Sequence, residues 1–332
     1  MCTAFVSIAP DSAAPVLLLS VRDEYTDRRW LPPGLHWPEQ PDVVGGLDLG
    51  GGGAWLAVAT GAGAEPVAAC LLNGFGRTAS PRQRLSRGGL PLIAVGGRPV
   101  NSLRLECYDP FHLIVARPSG VRVTSWTGNS LEDHELPAGL SVVLNDGVDG
   151  RAGAQPCPHH IRATMAARAT HFRARLRAVE RPEPLGGRPD DAWGQWLPIA
   201  CGDGLPVDDP AALIRRLESS SGRAWGAVSL SLLALAHQQV RYDFGAVSDS
   251  DSGLSPRVVL EPRPVRRWTA PCTAVNRHDD QHPPGQHLLQ QDRCAGSSQG
   301  RLSAPPACTE SDPVTGRSRI SERRSRRNGP GL

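Results

Sequence analysis

Short apolar runs separated by turn-forming residues fill residues 1–150, and this pattern constrains the fold more than any other feature of the chain. Thr3–Ile8 and Val16–Val21 are predicted β-strands, and Pro10-Asp11-Ser12 between them predicts a turn. A glycine run, Gly50–Gly53, precedes another strand-like segment and is not followed by a helical pattern. It therefore predicts a hairpin turn and not a dinucleotide-binding loop. Together these features indicate antiparallel hairpins.

Strand patterns continue along the chain, and helical patterns appear after residue 150. The further predicted strands are Ala54–Thr60, Pro66–Leu72, His112–Ala116, Val121–Trp126, Leu140–Leu144, Gly226–Leu235 and Val240–Phe244. Apolar residues at helical spacing predict a helix over His159–Val179. Asp208-Asp209-Pro210 has the composition of a helix start and predicts a second helix over Ala211–Glu218. Residues 1–245 are therefore predicted to form one α+β domain.

The chain changes character after Gly245. Ser, Pro, Gly, Arg and Gln dominate residues 246–332, and the apolar periodicity disappears. Such a segment buries too little apolar surface to offset its conformational entropy, so we predict a low-complexity, disordered tail. The Cys and His residues of the tail fit no compact zinc signature, and no metal site is predicted. The basic stretch Arg319–Arg327 is interpreted as a solvated end rather than a nucleic-acid-binding arm.

Charge and composition exclude several classes of function. The net charge is +3 and every basic residue other than His is an arginine, so lysine-dependent Schiff bases, Ser-Lys dyads and phosphate-binding loops are excluded. Residues 1–245 are close to neutral, which argues against a nucleic-acid partner. No signal peptide or long apolar run is visible, which predicts a cytoplasmic protein without a membrane span. In that compartment the eight cysteines are expected to be thiols.

Cys2 offers the most specific chemistry in the sequence, because it directly follows the initiator methionine. Removal of Met1 would leave a thiol and a free α-amine on one residue. An α-amine has a pKa of about 8, low enough to serve as a base near neutral pH. The thiol would attack an amide carbonyl while the amine takes and returns the proton. Asn side chains or backbone amides elsewhere in the chain would have to stabilise the oxyanion.

Motifs in a fixed order along the chain give Cys2 a context. Met1-Cys2-Thr3 is followed by Val21-Arg22-Asp23-Glu24, which resembles the motif of the NRDE family, named for Asn-Arg-Asp-Glu. The family includes the transport and Golgi organisation protein 2 homologues, and the resemblance extends from Met1 to about Phe244. Its other segments are Gly53-Ala54-Trp55-Leu56-Ala57, Leu72-Asn73, Ser86-Arg87-Gly88, Tyr108–Leu113, Pro137-Ala138-Gly139-Leu140, Leu144-Asn145 and Trp225-Gly226-Ala227-Val228-Ser229.

The resemblance implies a fold, an activity and a set of site residues. The implied fold is a four-layer αββα sandwich related to N-terminal-nucleophile hydrolases, with the disordered tail outside it. The implied activity is hydrolysis of a carbon–nitrogen amide bond in a small-molecule substrate, without a cofactor. By analogy Cys2 is the nucleophile, and Arg22 and Asp23 orient the substrate or the α-amine. Asn73 and Asn145 are the candidate oxyanion or amine contacts.

Alternatives remain open at each of these positions. Val21, His112 and Ala227-Val228 depart from the family pattern, and the last pair lacks an arginine that could bind a substrate carboxylate. Arg22 could form a buried ion pair with Asp23 or Glu24 instead of touching a substrate. Asn73 could simply be a turn residue. The whole domain could be a non-catalytic member that binds or traffics haem or an acyl-CoA or lipid ligand, or a purely structural protein.

Overall fold

A computed structural model of the chain describes residues 2–60, 65–150, 157–218, 222–248, 257–258 and 261–262. Contacts divide the chain into two units, Met1–Thr273 and Ala274–Leu332, and all the described residues lie in the first. Apart from the end of one strand and the two dipeptides at 257–258 and 261–262, the predicted tail lies outside the described residues. The predicted domain boundary after residue 245 stays a prediction.

The first sheet is built around the N-terminal hairpin. Its strands are β1 (Thr3–Ile8), β2 (Val16–Tyr25), β10 (Gly139–Leu144), β11 (Gly147–Val148), β12 (Arg216–Glu218), β13 (Ala224–Ala236), β14 (Gln239–Ser248), β15 (Arg257–Val258) and β16 (Glu261–Pro262). β1 lies between β10 and β2, and β2 pairs on its other side with β13; all these pairings are antiparallel. Both strands of the hairpin are thus internal, which explains why their apolar runs are almost continuous.

The second sheet is a meander in which each strand pairs antiparallel with the next. Its strands are β3 (Trp30–Gly34), β4 (Val43–Asp48), β5 (Ala54–Ala59), β6 (Val67–Asn73), β7 (Phe111–Arg117), β8 (Gly120–Trp126) and β9 (Leu131–Glu135). The predictions omitted β3, β4 and β9. β3 contains two prolines, and β9 is rich in exposed charged residues. Both are edge strands, and such residues are tolerated there because one side of an edge strand has no neighbouring strand to hydrogen-bond with.

The two sheets pack face to face, and helices cover their outer faces. One core cluster takes side chains from both sheets, including Val6, Leu18 and Ile114. A second lies between the first sheet and α2 (His159–Arg177), α3 (Pro189–Trp193) and α4 (Trp196–Ala200), and a third between the second sheet and α1 (Gly89–Val95). The predicted αββα order is therefore confirmed. None of the described helices is long and apolar enough to cross a membrane.

The helix predicted over Ala211–Glu218 is wrong. The Asp209 carboxylate accepts a hydrogen bond from the Ala211 backbone N–H at 2.7 Å, which closes a turn instead of capping a helix. Residues 212–214 then pack into the core, and the segment ends as β12, which pairs with β13. Burial of the Leu213 and Ile214 side chains against the helical layer outweighs the local helix signal.

Gly53 at the end of the predicted glycine turn brings β5 against the segment that begins α1. A Cβ built on Gly53 would lie 2.2 Å from the carbonyl carbon of Gly88 and 2.3 Å from its oxygen. That oxygen also accepts the Ala54 backbone N–H at 2.8 Å. Only a residue without a side chain fits here, because backbone atoms cannot rotate away.

We expect Gly53→Ala to lower the free energy of unfolding by about 1–3 kcal/mol, because the backbone at Gly88 must move to admit the methyl group. Gly89→Ala is the matched control, since its Cβ would have no neighbour within 4 Å. Urea denaturation of both variants measures the difference. Equal stability of Gly53→Ala and the wild type would contradict the close approach.

Candidate active site

A cleft of about 470 Å³ opens where the ends of β1, β2 and β6 meet. Four predicted site residues, Cys2, Arg22, Asp23 and Asn73, line it. Asn145, the fifth, does not line the cleft but lies directly behind it, in contact with Asn73. Residues distant in sequence are thus brought together at one end of the sandwich.

A larger groove of about 610 Å³ lies beside β7 and β8 and contains none of the predicted residues. Two of the acidic side chains that line it already have partners: Arg122 pairs with Glu135 at 2.9 Å, and the Thr124 hydroxyl donates to Asp133 at 2.5 Å. No cysteine or histidine lines it. The smaller cleft therefore holds the reactive groups.

Strand alternation places the thiol of Cys2 and the side chain of Arg22 on the same face of the first sheet. Thr3 pairs with Val21, so the residues that precede and follow them, Cys2 and Arg22, both face the second sheet. The cluster contacts agree, because Cys2 packs against the core between the sheets. Asp23 is one residue further along β2, so its carboxylate points toward the helices instead.

Arg22 is held by one carboxylate and one aromatic ring. Its Nη2 donates to Asp48 Oδ2 at 2.7 Å, and its guanidinium lies 4.5 Å from the centre of the Trp55 ring. Asp48 also binds Arg28 through two hydrogen bonds. The ion pair expected for Arg22 with Asp23 or Glu24 is thus formed mainly with Asp48, while Glu24 lies 3.8 Å away.

The environment of Arg22 leaves one of its donor atoms unsatisfied. Burial lowers the pKa of Arg22, and the charges of Asp48 and Cys2 act in the opposite direction. The group stays charged at neutral pH, because an arginine pKa starts above 12. Its Nη1 is buried and has no hydrogen-bond partner among the described residues. A buried donor without a partner costs about 1–3 kcal/mol.

Asp23 pairs with a residue that the sequence analysis missed. Arg168 of α2 is fully buried and donates to Asp23 Oδ2 at 3.2 Å, to the Thr3 hydroxyl at 2.9 Å and to the Ala212 carbonyl at 2.7 Å. This one side chain ties the helical layer to β1 and β2 beneath the cleft. Helical spacing could have indicated that Arg168 is buried, because it lies three residues after the buried Met165 and four before the buried Phe172.

Asn145 supports Asn73 from behind. Its Nδ2 donates to the Asn73 backbone carbonyl at 2.7 Å across the two sheets. The Asn73 side chain itself is exposed in the cleft and forms no hydrogen bond with a described residue. Its amide N–H groups are therefore free to meet an incoming ligand.

His112 completes this link between the sheets. Its Nε2 lies 3.2 Å from the Asn145 carbonyl and its Nδ1 lies 2.8 Å from the Ser125 hydroxyl. Because a carbonyl can only accept, Nε2 donates, and Nδ1 accepts the hydroxyl proton. Burial lowers the pKa of His112 to about 4, so the ring is neutral at physiological pH.

The thiol of Cys2 is half-buried at the base of the cleft. Its Sγ lies 3.7 Å from the backbone carbonyl of Asp23, which can accept the S–H proton. Burial raises the pKa of the Cys2 thiol, although the charge of Arg22 acts to lower it. Cys70 lies nearby with a pKa raised to about 12 by burial. The five cysteines of the described residues are free thiols, and the other three of the eight lie outside that part of the chain.

The register of β2 and β13 changes beside the site. Asp23 pairs with Ala227 and Arg22 with Ser229, which leaves Val228 as a bulge. Bulges are frequent next to active sites because they redirect a side chain. Val228, the bulged residue, is buried.

The comparison with family models agrees with the motifs. Residues 1–164 match the family model described as Transport and Golgi organisation 2. A similar solved structure is that of the C2A mutant of a conjugated bile acid hydrolase from Clostridium perfringens, with 8% sequence identity and a TM-score of 0.37. That alignment covers 81% of this chain and 98% of the hydrolase. No curated protein matches the sequence significantly.

The neutral His112 predicts a pH-dependent stability. Because its pKa falls from 6.5 in the unfolded chain to about 4 in the folded one, the unfolded state binds the extra proton between these values. The free energy of unfolding is therefore lost as the pH falls from 6.5 to 4, by about 3 kcal/mol. We expect His112→Asn to flatten this part of the curve, and the exposed His134→Asn to leave it unchanged. Parallel urea titrations at several pH values test this, and an equal slope in His112→Asn and wild type would contradict it.

Proposed function

We propose that this chain, which belongs to the Transport and Golgi organisation 2 family over residues 1–164, is a cysteine amidohydrolase that cleaves a carbon–nitrogen amide bond of a small molecule. The nucleophile is the thiol of Cys2, exposed as the first residue after removal of Met1. The observation that carries this proposal is the cleft in which Cys2 lies with Arg22 and Asn73. Acyl transfer needs a nucleophile, a base and an oxyanion donor, which are here the thiol, the α-amine of Cys2 and the Asn73 amide; Arg22 adds a positive charge in the same cleft.

The first half of the reaction forms a thioester. The Cys2 thiol gives its proton to the α-amine of the same residue, and the sulfur attacks the amide carbon. The carbon–nitrogen bond then breaks, and the α-ammonium returns the proton to the departing amine. The raised pKa of the thiol requires such a base, because a neutral thiol is a weak nucleophile.

The second half regenerates the enzyme. The α-amine takes a proton from a water molecule, which attacks the thioester carbon, and the carbon–sulfur bond breaks. The carboxylic acid leaves, and the thiol recovers its proton. The balance of the two halves is one amide and one water converted to one acid and one amine.

Asn73 is the proposed oxyanion donor, since its side-chain amide is exposed in the cleft without a described partner. Asn145 acts on it indirectly, because it binds the Asn73 carbonyl and fixes the end of β6. Arg22 offers its buried Nη1 next to the thiol. Asp23, locked by Arg168, fixes the strand that faces Cys2 and keeps a negative charge near the α-amine.

A non-catalytic role is the second candidate. The same cleft could bind haem or an acyl-CoA or lipid ligand without turnover. Burial of the thiol favours this reading, because it raises the pKa of Cys2 and keeps the thiol protonated. The two candidates differ in one requirement: only the hydrolase needs a free N-terminal cysteine.

We expect the intact mass of the purified protein to correspond to a chain that lacks Met1. A retained methionine would block the α-amine and exclude the proposed base.

We further expect Cys2→Ala and Cys2→Ser to lower turnover of a panel of N-acyl amides at least a thousandfold, with unchanged melting temperature. Cys157→Ser, which alters a thiol that does not line the cleft, is the control. Acid quenching of wild-type reactions should trap the acyl group on the Cys2 peptide, as read by mass spectrometry. Undiminished turnover in Cys2→Ala would leave the binding role.

A further inference from the structure

Four arginines line the cleft, and most of their charge is neutralised within it. Arg22 and Arg28 share Asp48, at 2.7 Å and 2.6 Å, and Glu24 lies within 4 Å of both. These two cations and two carboxylates form a closed group.

The remaining cleft charges do not balance. Arg84 lies 3.2 Å from Asp109, and the carboxylate of Asp23 is taken by Arg168 on the far face of the sheet. Among the ion pairs of the described residues, none includes Arg87. The cleft therefore holds one positive charge that no described carboxylate pairs with.

The guanidinium of Arg87 is held by one hydrogen bond, and its other nitrogen atoms remain available to a ligand. Its Nη1 donates to the Pro110 carbonyl at 2.7 Å, which anchors the guanidinium to the loop that enters β7. Its Nε and Nη2 have no hydrogen-bond partner among the described residues and are not among the polar atoms shut off from solvent. These two atoms form the flat edge of the guanidinium, whose parallel N–H bonds match the two oxygens of a carboxylate or phosphate.

The surroundings of Arg87 strengthen its attraction for an anion. The side chain is half-buried, and burial lowers the pKa of Arg87 while Asp109 and Cys2 act in the opposite direction. Partial removal of water raises the free energy of a charge without a partner. It also strengthens the attraction between that charge and an incoming oxyanion. The Cys2 thiol and the Arg87 guanidinium line the same cleft.

We infer that Arg87 is a specificity-determining residue that makes the cleft select substrates carrying an oxyanion, a carboxylate or a phosphate, near the amide bond attacked by Cys2. The inference rests on the proposed hydrolase function for the position of the reacting bond. The binding of the anion depends only on the cleft. Arg87 holds the charged end of the ligand while the rest of the molecule extends toward the thiol.

Calorimetric titration with three matched probes tests this inference: N-octanoylglycine, its neutral analogue N-octanoylglycinamide, and N-octanoyl phosphoethanolamine. The full chain carries Cys2→Ala, so that turnover cannot consume a probe. We expect at least one anionic probe to bind about tenfold or more tightly than the neutral one. The tighter of the two anions identifies the carboxylate or the phosphate as the preferred group.

In Arg87→Gln we expect this preference to disappear while the neutral probe keeps its affinity, and in Arg87→Lys we expect it to fall by less. Arg82→Gln is the control, because this exposed arginine of the same loop does not line the cleft. Equal binding of all probes, binding of none, or a preference that survives Arg87→Gln would overturn the inference. Hydrolysis by the wild type is measured separately, so an absence of turnover with intact anion binding would refute the hydrolase and not this site.

Discussion

The N-terminal strand is confined on both sides, and the rest of the site depends on this constraint. β1 pairs with β10 on one edge and β2 on the other, and Arg168 binds the Thr3 hydroxyl from the helical layer below. A chain end would ordinarily fray, because detaching breaks few contacts and increases its conformational entropy. Here the pairing on two edges and the buried contact below fix the residue directly before the strand, Cys2, at the mouth of the sandwich.

Burying the Arg168–Asp23 ion pair costs desolvation free energy, which explains why Arg168 has further hydrogen-bond partners. Two charges buried away from water are unfavourable unless further hydrogen bonds satisfy them, and Arg168 has contacts to a hydroxyl and a carbonyl as well. The pair sits directly below the strand that bears Arg22. The helical layer therefore does more than cover apolar surface, since it supplies the charge that keeps Asp23 in place.

Much of the fold could be predicted from the sequence, because apolar alternation and turn residues are local signals. The internal strands β1, β2, β6, β7, β8 and β13 follow directly from that pattern. β3 and β9 could not be predicted this way, since edge strands tolerate prolines and charges that otherwise argue against a strand. The internal strand β4 was missed because two glycines, Gly45 and Gly46, interrupt its apolar pattern. The helix predicted over Ala211–Glu218 was wrong because an aspartate followed by a proline is typical of a turn as well as of a helix start.

The candidate site was predictable in its residues but not in its contacts. Cys2, Arg22, Asp23 and Asn73 were identified through motif order and lie around one cleft, yet the partner of Arg22 proved to be Asp48, in the neighbouring sheet. Side-chain contacts between the two sheets depend on how the sheets pack against each other. No short segment of the sequence encodes that packing. Arg87 belonged to a recognised motif, but its missing counter-charge became visible only when every neighbouring carboxylate had been matched to a cation.

The order of strands in the two sheets has a consequence for how the protein is made. Each strand of the second sheet pairs with its immediate successor, so this half can assemble as it leaves the ribosome. β1 and β2 must instead wait for β10 and for β13, which begins at Ala224. During that interval neither outer edge of the β1–β2 hairpin has a neighbouring strand. Late closure of the first sheet thus leaves two open strand edges exposed to other chains until the final strands arrive.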